Sequence, residues 1–473
     1  MIRFNFAACL LLALTSWQNT AGQSIPKTLS LTEAVNLAVE NYPSVKIKAA
    51  EIQATQAESN AQLMSYNRPT LSFQAQALFA TSNQVRGTSF PNGGTAISST
   101  GSIKVNGYSA DAVWSSFSTI LGSYKIASFG KKRADETMYR VGTEQARADY
   151  DREIFDQKAR AADAYLMALV YQDAVQVQQK NLERTQQFFN VIQATAKAGL
   201  RPGVDSSMAT AELSKATLLL LESQRLAKDQ KIKLAQLLGG GSSDFQLVAD
   251  RFNRSLPNQS PVVSELNASE HPLLQYYQKR IGFSEAKAIS IRKSYLPSIM
   301  AVGALWGRGS GISDKTDADG NFNYNASLSG LRFRAYNYMA GVSTLWNISD
   351  VFRTRQQTKA QQFLTESYQQ GYNQMQIQLQ GELESADLQY SAALQTVTQA
   401  PVQLSAAQDA YNQADARYKA GLSTILELTQ AVTLLNRAEI DQIVAHNNVW
   451  RALLQKAAAN GNINGFLSQV NQN

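Results

Sequence analysis

The tetrapeptide Lys-Ala-Gly-Leu stands at residues 197–200 and again at 419–422, and the offset of 222 between them aligns what lies around both copies. Asp205 falls on Glu427, Ala209 on Ala431, Leu213 on Leu435 and Ala216 on Ala438, with no gap. Upstream, Lys131 and Arg133 of SFGKKRAD fall on Arg353 and Arg355 of DVFRTRQQ. Towards the start of each half the register slips by a few residues, so that Pro43 faces Pro272 and Pro69 faces Pro297. A long internal repeat means that one supersecondary unit is built twice. The spacing predicts a first repeat over 23–238, a Gly- and Pro-punctuated linking segment over 239–272, a second repeat over 273–457 and a C-terminal tail over 458–473.

Each half reads as a short amphipathic helix, a long helix, two strands joined by a polar loop, a very long helix, a tip and another long helix. The periodicity is plainest where Leu383, Ala386, Tyr390, Ala393, Val397, Ala400, Leu404, Ala407, Tyr411, Ala414 and Tyr418 follow one another at spacings of three and four. That is a heptad seam, and its alternation of large and small residues lets neighbouring helices interlock. Ala431, Leu435, Ala438, Ala445, Val449 and Ala452 repeat it on the next helix, with Gln442 its one polar member. A helix from Val351 to Tyr418 would be roughly 100 Å long at about 1.5 Å per residue, far more than a globular core needs. Pro401 inside it removes one backbone hydrogen bond and predicts a bend.

The strands fall at about 69–128 and 297–348 as two hairpins. Leu71, Phe73, Ala75, Ala77 and Phe79 alternate with mostly polar residues, and so do Tyr336, Tyr338, Ala340, Val342, Thr344, Trp346 and Ile348. Period two with one apolar face is a strand, and segments of about ten residues have the length of a transmembrane barrel strand. Trp114, Phe117, Trp306, Tyr336, Tyr338 and Trp346 are candidates for interfacial girdles; a soluble hairpin with ordinary aromatic packing uses the same pattern. If the strands lie in lipid, four cannot close, and open edges leave backbone groups unpaired at several kcal/mol each. The chain then oligomerises: two copies give eight strands with a filled interior, three give twelve and room for a channel.

Composition narrows the classes further. Residues 1–22 read as a secretory signal, with Arg3, an apolar run to Leu14 and small residues at Ala21-Gly22. The only cysteine, Cys9, lies inside it, so the mature chain has no disulfide and no thiolate metal site. Beyond it no run approaches the ~18 apolar residues of a membrane-spanning helix. The net charge of +7 is scattered among acids with no nucleic-acid motif beside it. His271 and His446, the two histidines, belong to no triad or ligand spacing, and neither KSYLPS nor Gly239-Gly240-Gly241 makes a phosphate loop. No catalytic residue, metal or cofactor is expected.

Over essentially the whole mature chain the sequence resembles the TolC family of outer-membrane efflux ducts. The resemblance rests on LSLTEAVNLAVENYPS, on FGKKR and VFRTR after each hairpin, and on the two tips ending in AGL. It implies a mainly α fold with a membrane β-barrel: a homotrimer whose four strands per chain form a twelve-stranded barrel in outer-membrane lipid, above a long periplasmic α-helical barrel. It implies export of drugs, toxins or proteins by docking onto a periplasmic adaptor and an inner-membrane pump. The other reading of the same heptads is an exported coiled-coil structural or adhesive protein without a conducting lumen.

The tips read in two ways. Gly199 and Gly421 stand where helices end, as left-handed C′ residues. Thr424 to Glu427 spells a capping box, and Asp205 suits the positive start of its helix. By resemblance, Glu427 matches an acidic ring at the periplasmic entrance whose second acid is Gln430 here. Asp205 and Tyr418 match positions linked in the closed state, and the arginine of that link is Ser423 here. The tips Lys197, Ala198, Gly199, Leu200 and Lys419, Ala420, Gly421, Leu422 match the adaptor-docking grooves.

Overall fold

The computed structural model describes residues 26–83, 101–105, 107–199, 201–241, 243–248, 252, 255–257 and 266–471; the expected signal segment lies outside them. In chain order the elements are β1 (Thr28–Leu29), α1 (Leu31–Asn41), α2 (Pro43–Asn67), β2 (Thr70–Thr81), β3 (Ala112–Ala127), α3 (Lys131–Lys197) and α4 (Gly203–Leu237). There follow β4 (Gln246–Leu247), α5 (Pro272–Arg292), β5 (Ser298–Ser310), β6 (Ile312–Thr316), β7 (Phe322–Tyr324), β8 (Ala335–Leu345), α6 (Asp350–Lys419), α7 (Ile425–Ala459) and α8 (Ile463–Asn471). Helix α6 is continuous through Pro401. Residues 266–271, just ahead of α5, form a turn and coil, so the short helix expected at the start of the second half does not lie there. No helix among the described residues is long and apolar enough to cross a membrane.

The chain divides into two compact units. The first comprises Met1–Gln53, Glu144–Arg280 and Ser367–Asn473. Its helices are held along the heptad seam: Leu383, Ala386, Tyr390, Val397 and Ala400 are buried on α6, and Leu435, Ala438, Ala445 and Val449 on α7. Helix α1 starts with a complete capping box, in which Ser30 Oγ accepts the Glu33 N–H and Glu33 Oε2 accepts the Ser30 N–H. Its buried face, Leu31, Ala34, Val35 and Ala38, joins Tyr165, Leu166, Leu169, Trp450 and Phe466 in one core. The Tyr165 hydroxyl donates to Leu29 O at 2.8 Å and accepts the Val248 N–H at 3.1 Å, which fixes the parallel β1–β4 pair against α3. The expected C-terminal tail contains helix α8, because Phe466, with 2% exposure, belongs to this core. The turn into α8 needs glycine: Gly461 has φ +77°, and a Cβ there would meet His271 Cα at 2.9 Å.

The second unit comprises Ala54–Thr143 and Ile281–Glu366. Its centre is an antiparallel sheet in the order β2-β3-β5-β8, open at both β2 and β8. Between β5 and β8, within the polar loop of the second hairpin, β6 and β7 pair as a small hairpin. Register places Phe73, Ile120, Leu305 and Tyr338 in one row across the sheet and Gln74, Thr119, Trp306 and Asn337 in the row behind it. The first face also carries Leu71, Phe79, Trp114, Tyr124, Tyr336 and Val342 and has no charged side chain on any strand. The second face carries Gln76, Lys125 and Arg308 among apolar residues. Of the girdle candidates, Phe117 and Trp306 lie on this second face, because their register differs by an odd number of residues from that of Trp114 and Tyr336, and an odd offset reverses the face. Where the sheet meets its helices, buried Asp135 accepts hydrogen bonds from the Tyr66 hydroxyl, Lys131 Nζ and Ser290 Oγ, joining α2, α3 and α5.

Candidate functional site

The two tips lie in the first unit, one between α3 and α4 and the other between α6 and α7. Helix α6 ends in a Schellman turn: Gly421 has φ +76°, its N–H reaches Tyr418 O at 3.0 Å, and the Leu422 N–H reaches Arg417 O at 2.8 Å. Helix α3 ends at Gly199 with φ +73°. Both cap assignments made from the sequence hold. Helix α7 then starts at Thr424, whose hydroxyl accepts the Glu427 N–H at 3.4 Å.

The reciprocal half of that capping box, present at α1, is not made. The Glu427 carboxylate lies 3.9 Å from the Arg417 guanidinium, with both side chains at least half exposed, so a cation from the preceding helix replaces the cap backbone as its neighbour. Gln430 is exposed one turn further on and adds no charge.

Beneath the tips Phe188, Ile192, Ala209, Tyr418, Ile425, Leu428 and Val432 pack as one apolar cluster. Beside it a groove is lined by Arg184, Phe188, Tyr411, Asp415, Tyr418 and Leu428. Tyr418 is 4% exposed. Burial chiefly raises the pKa of its hydroxyl, the Asp205 carboxylate raises it further, and Arg201 pulls it the other way. Asp205 stands in the first turn of α4, and its charge acts on the Tyr418 hydroxyl.

A residue that holds Tyr418 was not singled out from the sequence. Arg201 Nη2 donates to Tyr418 O at 2.8 Å, and its guanidinium lies 4.7 Å from the Tyr418 ring centre. The signal was present: Arg201 and Ser423 are repeat mates at the offset of 222, so the arginine lacking at one tip stands on the other. Ser423 itself is buried, and its Oγ has no hydrogen-bond partner among the described residues.

Of the docking candidates, Lys197, Ala198, Gly199, Ala420 and Gly421 are exposed, and Leu422 is 71% exposed. Lys419 pairs with Asp415 at 2.7 Å. Leu200 lies outside the described residues. Val204 and Leu426 add exposed apolar surface on the two tips, at 62% and 54%.

Residues 266–462 match a family model described as outer membrane efflux protein. No curated protein matches the chain in sequence. Among solved structures the chain is similar to the outer-membrane channel OprN, with 19% identity over 91% of this chain and 89% of that one and a TM-score of 0.69. It is similar to the outer membrane protein VceC of Vibrio cholerae, with 16% identity, 91% and 96% covered and a TM-score of 0.68. It is also similar to the CmeC outer membrane channel of Campylobacter jejuni, with 13% identity, 93% and 89% covered and a TM-score of 0.71. At these identities the likeness is one of fold, and it extends through the first half of the chain, which the family model leaves out.

Proposed function

We propose that this TolC-family chain, with its outer membrane efflux protein domain over residues 266–462, is the outer-membrane channel of a tripartite efflux or type I secretion system. It carries small molecules or proteins from a pump in the inner membrane to the exterior, and no residue has a catalytic, metal or cofactor role. The observation that carries the reading is the sheet: one face without a charge, two open edges, and strands of 11 to 16 residues, each at least as long as the ~9–11 that a barrel strand needs to span. Lipid tolerates no open edge. Three copies complete twelve strands around a lumen lined by the more polar face. The coiled-coil structural or adhesive reading leaves the uncharged face without a use.

On this reading residues 23–238 and 273–457 are two copies of one unit, and their helices form the periplasmic duct. Native mass measurement in detergent is expected to give a trimer that conducts ions in a planar bilayer. A monomer or dimer as the only stable species overturns the channel.

The tips are the docking surface for the periplasmic adaptor, with small, exposed Ala198, Gly199, Ala420 and Gly421 allowing close approach and Leu422 as the apolar contact. Leu422→Glu is expected to abolish adaptor crosslinking and efflux while trimer assembly stays normal, since the Schellman turn uses only the backbone of Leu422. Unchanged crosslinking means that the glycines are caps and no more.

A further inference from the structure

The junctions between sheet and helices, residues 67–70, 124–136, 290–299 and 345–359, hold ten lysines and arginines against three carboxylates. Register places them all at one end of the sheet, since Thr70 pairs with Ser123, Lys125 with Met300 and Ile299 with Thr344. At the other end, the described residues of the loops within 82–111 and 311–334 hold four cations and four carboxylates. One end of the sheet thus carries a net +7, equal to the net charge of the whole chain, and the described residues at the other end carry none.

Each of the three carboxylates in the band already has a cation: Asp135 has Lys131, Glu136 has Lys132 and Asp350 has Arg353. The other seven cations have no carboxylate partner among the described residues. Of these Arg68, Arg133, Arg292 and Arg355 are exposed. Phe129 and Phe352, at 52% and 74% exposure, stand among them, and the uncharged face begins next along the strands at Tyr124, Val342 and Thr344.

We infer that this band binds the phosphate headgroups of anionic phospholipid in the periplasmic leaflet, an inference that rests on the membrane reading above. The headgroup layer is about 5–8 Å deep on each side of the hydrocarbon. One to one and a half helical turns, about 5–8 Å, cover the same depth, and this is where the arginines of α3 and α6 begin. Long cationic side chains lay their stems along apolar surface and hold their charge at headgroup level. A band kept only for solubility would have its charges interspersed, as they are at the other end. The occupant is a lipid because the cations continue an apolar face and are interleaved with exposed phenylalanines.

The test is native mass spectrometry of the detergent-solubilised full-length mature protein, titrated with phosphatidylglycerol or phosphatidylcholine of identical acyl chains. At roughly fivefold per cation near an anionic surface, the protein is expected to retain phosphatidylglycerol at least about tenfold better, and the preference should fall as salt is raised. The triple variant Arg133→Gln, Arg292→Gln, Arg355→Gln should bring the two lipids to within about twofold, whereas Lys104→Gln with Lys315→Gln at the other end should change nothing. Equal retention by the native protein, or an undiminished preference in the triple variant, overturns the inference. So does displacement of the lipid by inorganic phosphate at matched ionic strength, which would mark a site for free anions. A chain that bound neither lipid and stayed in solution without detergent would overturn the membrane reading, and this inference with it.

Discussion

Ile120→Arg is expected to abolish assembly into the outer membrane, while Thr119→Arg, one residue away, is expected to assemble. Ile120 lies near the middle of β3, on the uncharged face, in a row with Phe73, Leu305 and Tyr338. These four side chains are between 51% and 81% exposed in the single chain, which for large apolar residues in register across four strands requires a nonaqueous neighbour. An arginine at the bilayer midplane costs about 2–4 kcal/mol. Repeated in three chains that is about 6–12 kcal/mol, comparable with the ~5–15 kcal/mol that holds a folded domain together. Thr119 sits on the face that already carries Lys125 and Arg308, which on the proposed reading lines a lumen whose water would solvate a further cation. Recovery in the outer-membrane fraction, with the trimer band on unheated gels, separates the two variants. Equal recovery of both would show that the uncharged face does not meet lipid.

Arg201→Ser is expected to open the resting tip. Its guanidinium makes a charge-assisted hydrogen bond to Tyr418 O and lies over the Tyr418 ring, tying the α3–α4 tip to the α6–α7 tip. Loss of a hydrogen bond to a charged group removes about 1.5–3 kcal/mol, and loss of a cation–π contact about 0.5–2 kcal/mol. In the proposed trimer three chains together would lose more than the ~5.5 kcal/mol that separates a 1:99 population from a 99:1 population. Single-channel conductance of the resting protein should therefore rise towards that of a fully open channel. Arg417→Gln provides the contrast. Arg417 is exposed and lies near Glu427 alone among the acids, so its removal should leave conductance unchanged and raise cation selectivity, while Glu427→Gln should lower it. Native conductance in a normally assembled Arg201→Ser channel would reduce Arg201 to a packing residue.

The features that could be read from the sequence are those with a period. The seam from Leu383 to Tyr418 faces inward because positions three and four apart share one side of a helix, and most of its residues are buried. The uncharged sheet face follows from alternation, and Gly199 and Gly421 take left-handed conformations at helix ends. The aromatic residues were legible by type only: Phe117 and Trp306 lie on the other face from Trp114 and Tyr336, because the face follows register and not residue type.

What has no period was decided by the tertiary structure. Phe466 is buried because α8 folds back onto a core that also contains α1, two elements from opposite ends of the chain. Arg201 reaches Tyr418 across 217 residues of sequence, and Arg417 takes the Glu427 carboxylate that local spacing assigned to the cap. Apolar burial is nondirectional and roughly additive, so a pattern of residue types is enough to predict it. A guanidinium must find an acceptor within about 3 Å and in the right direction, and only the folded chain specifies which acceptor is there.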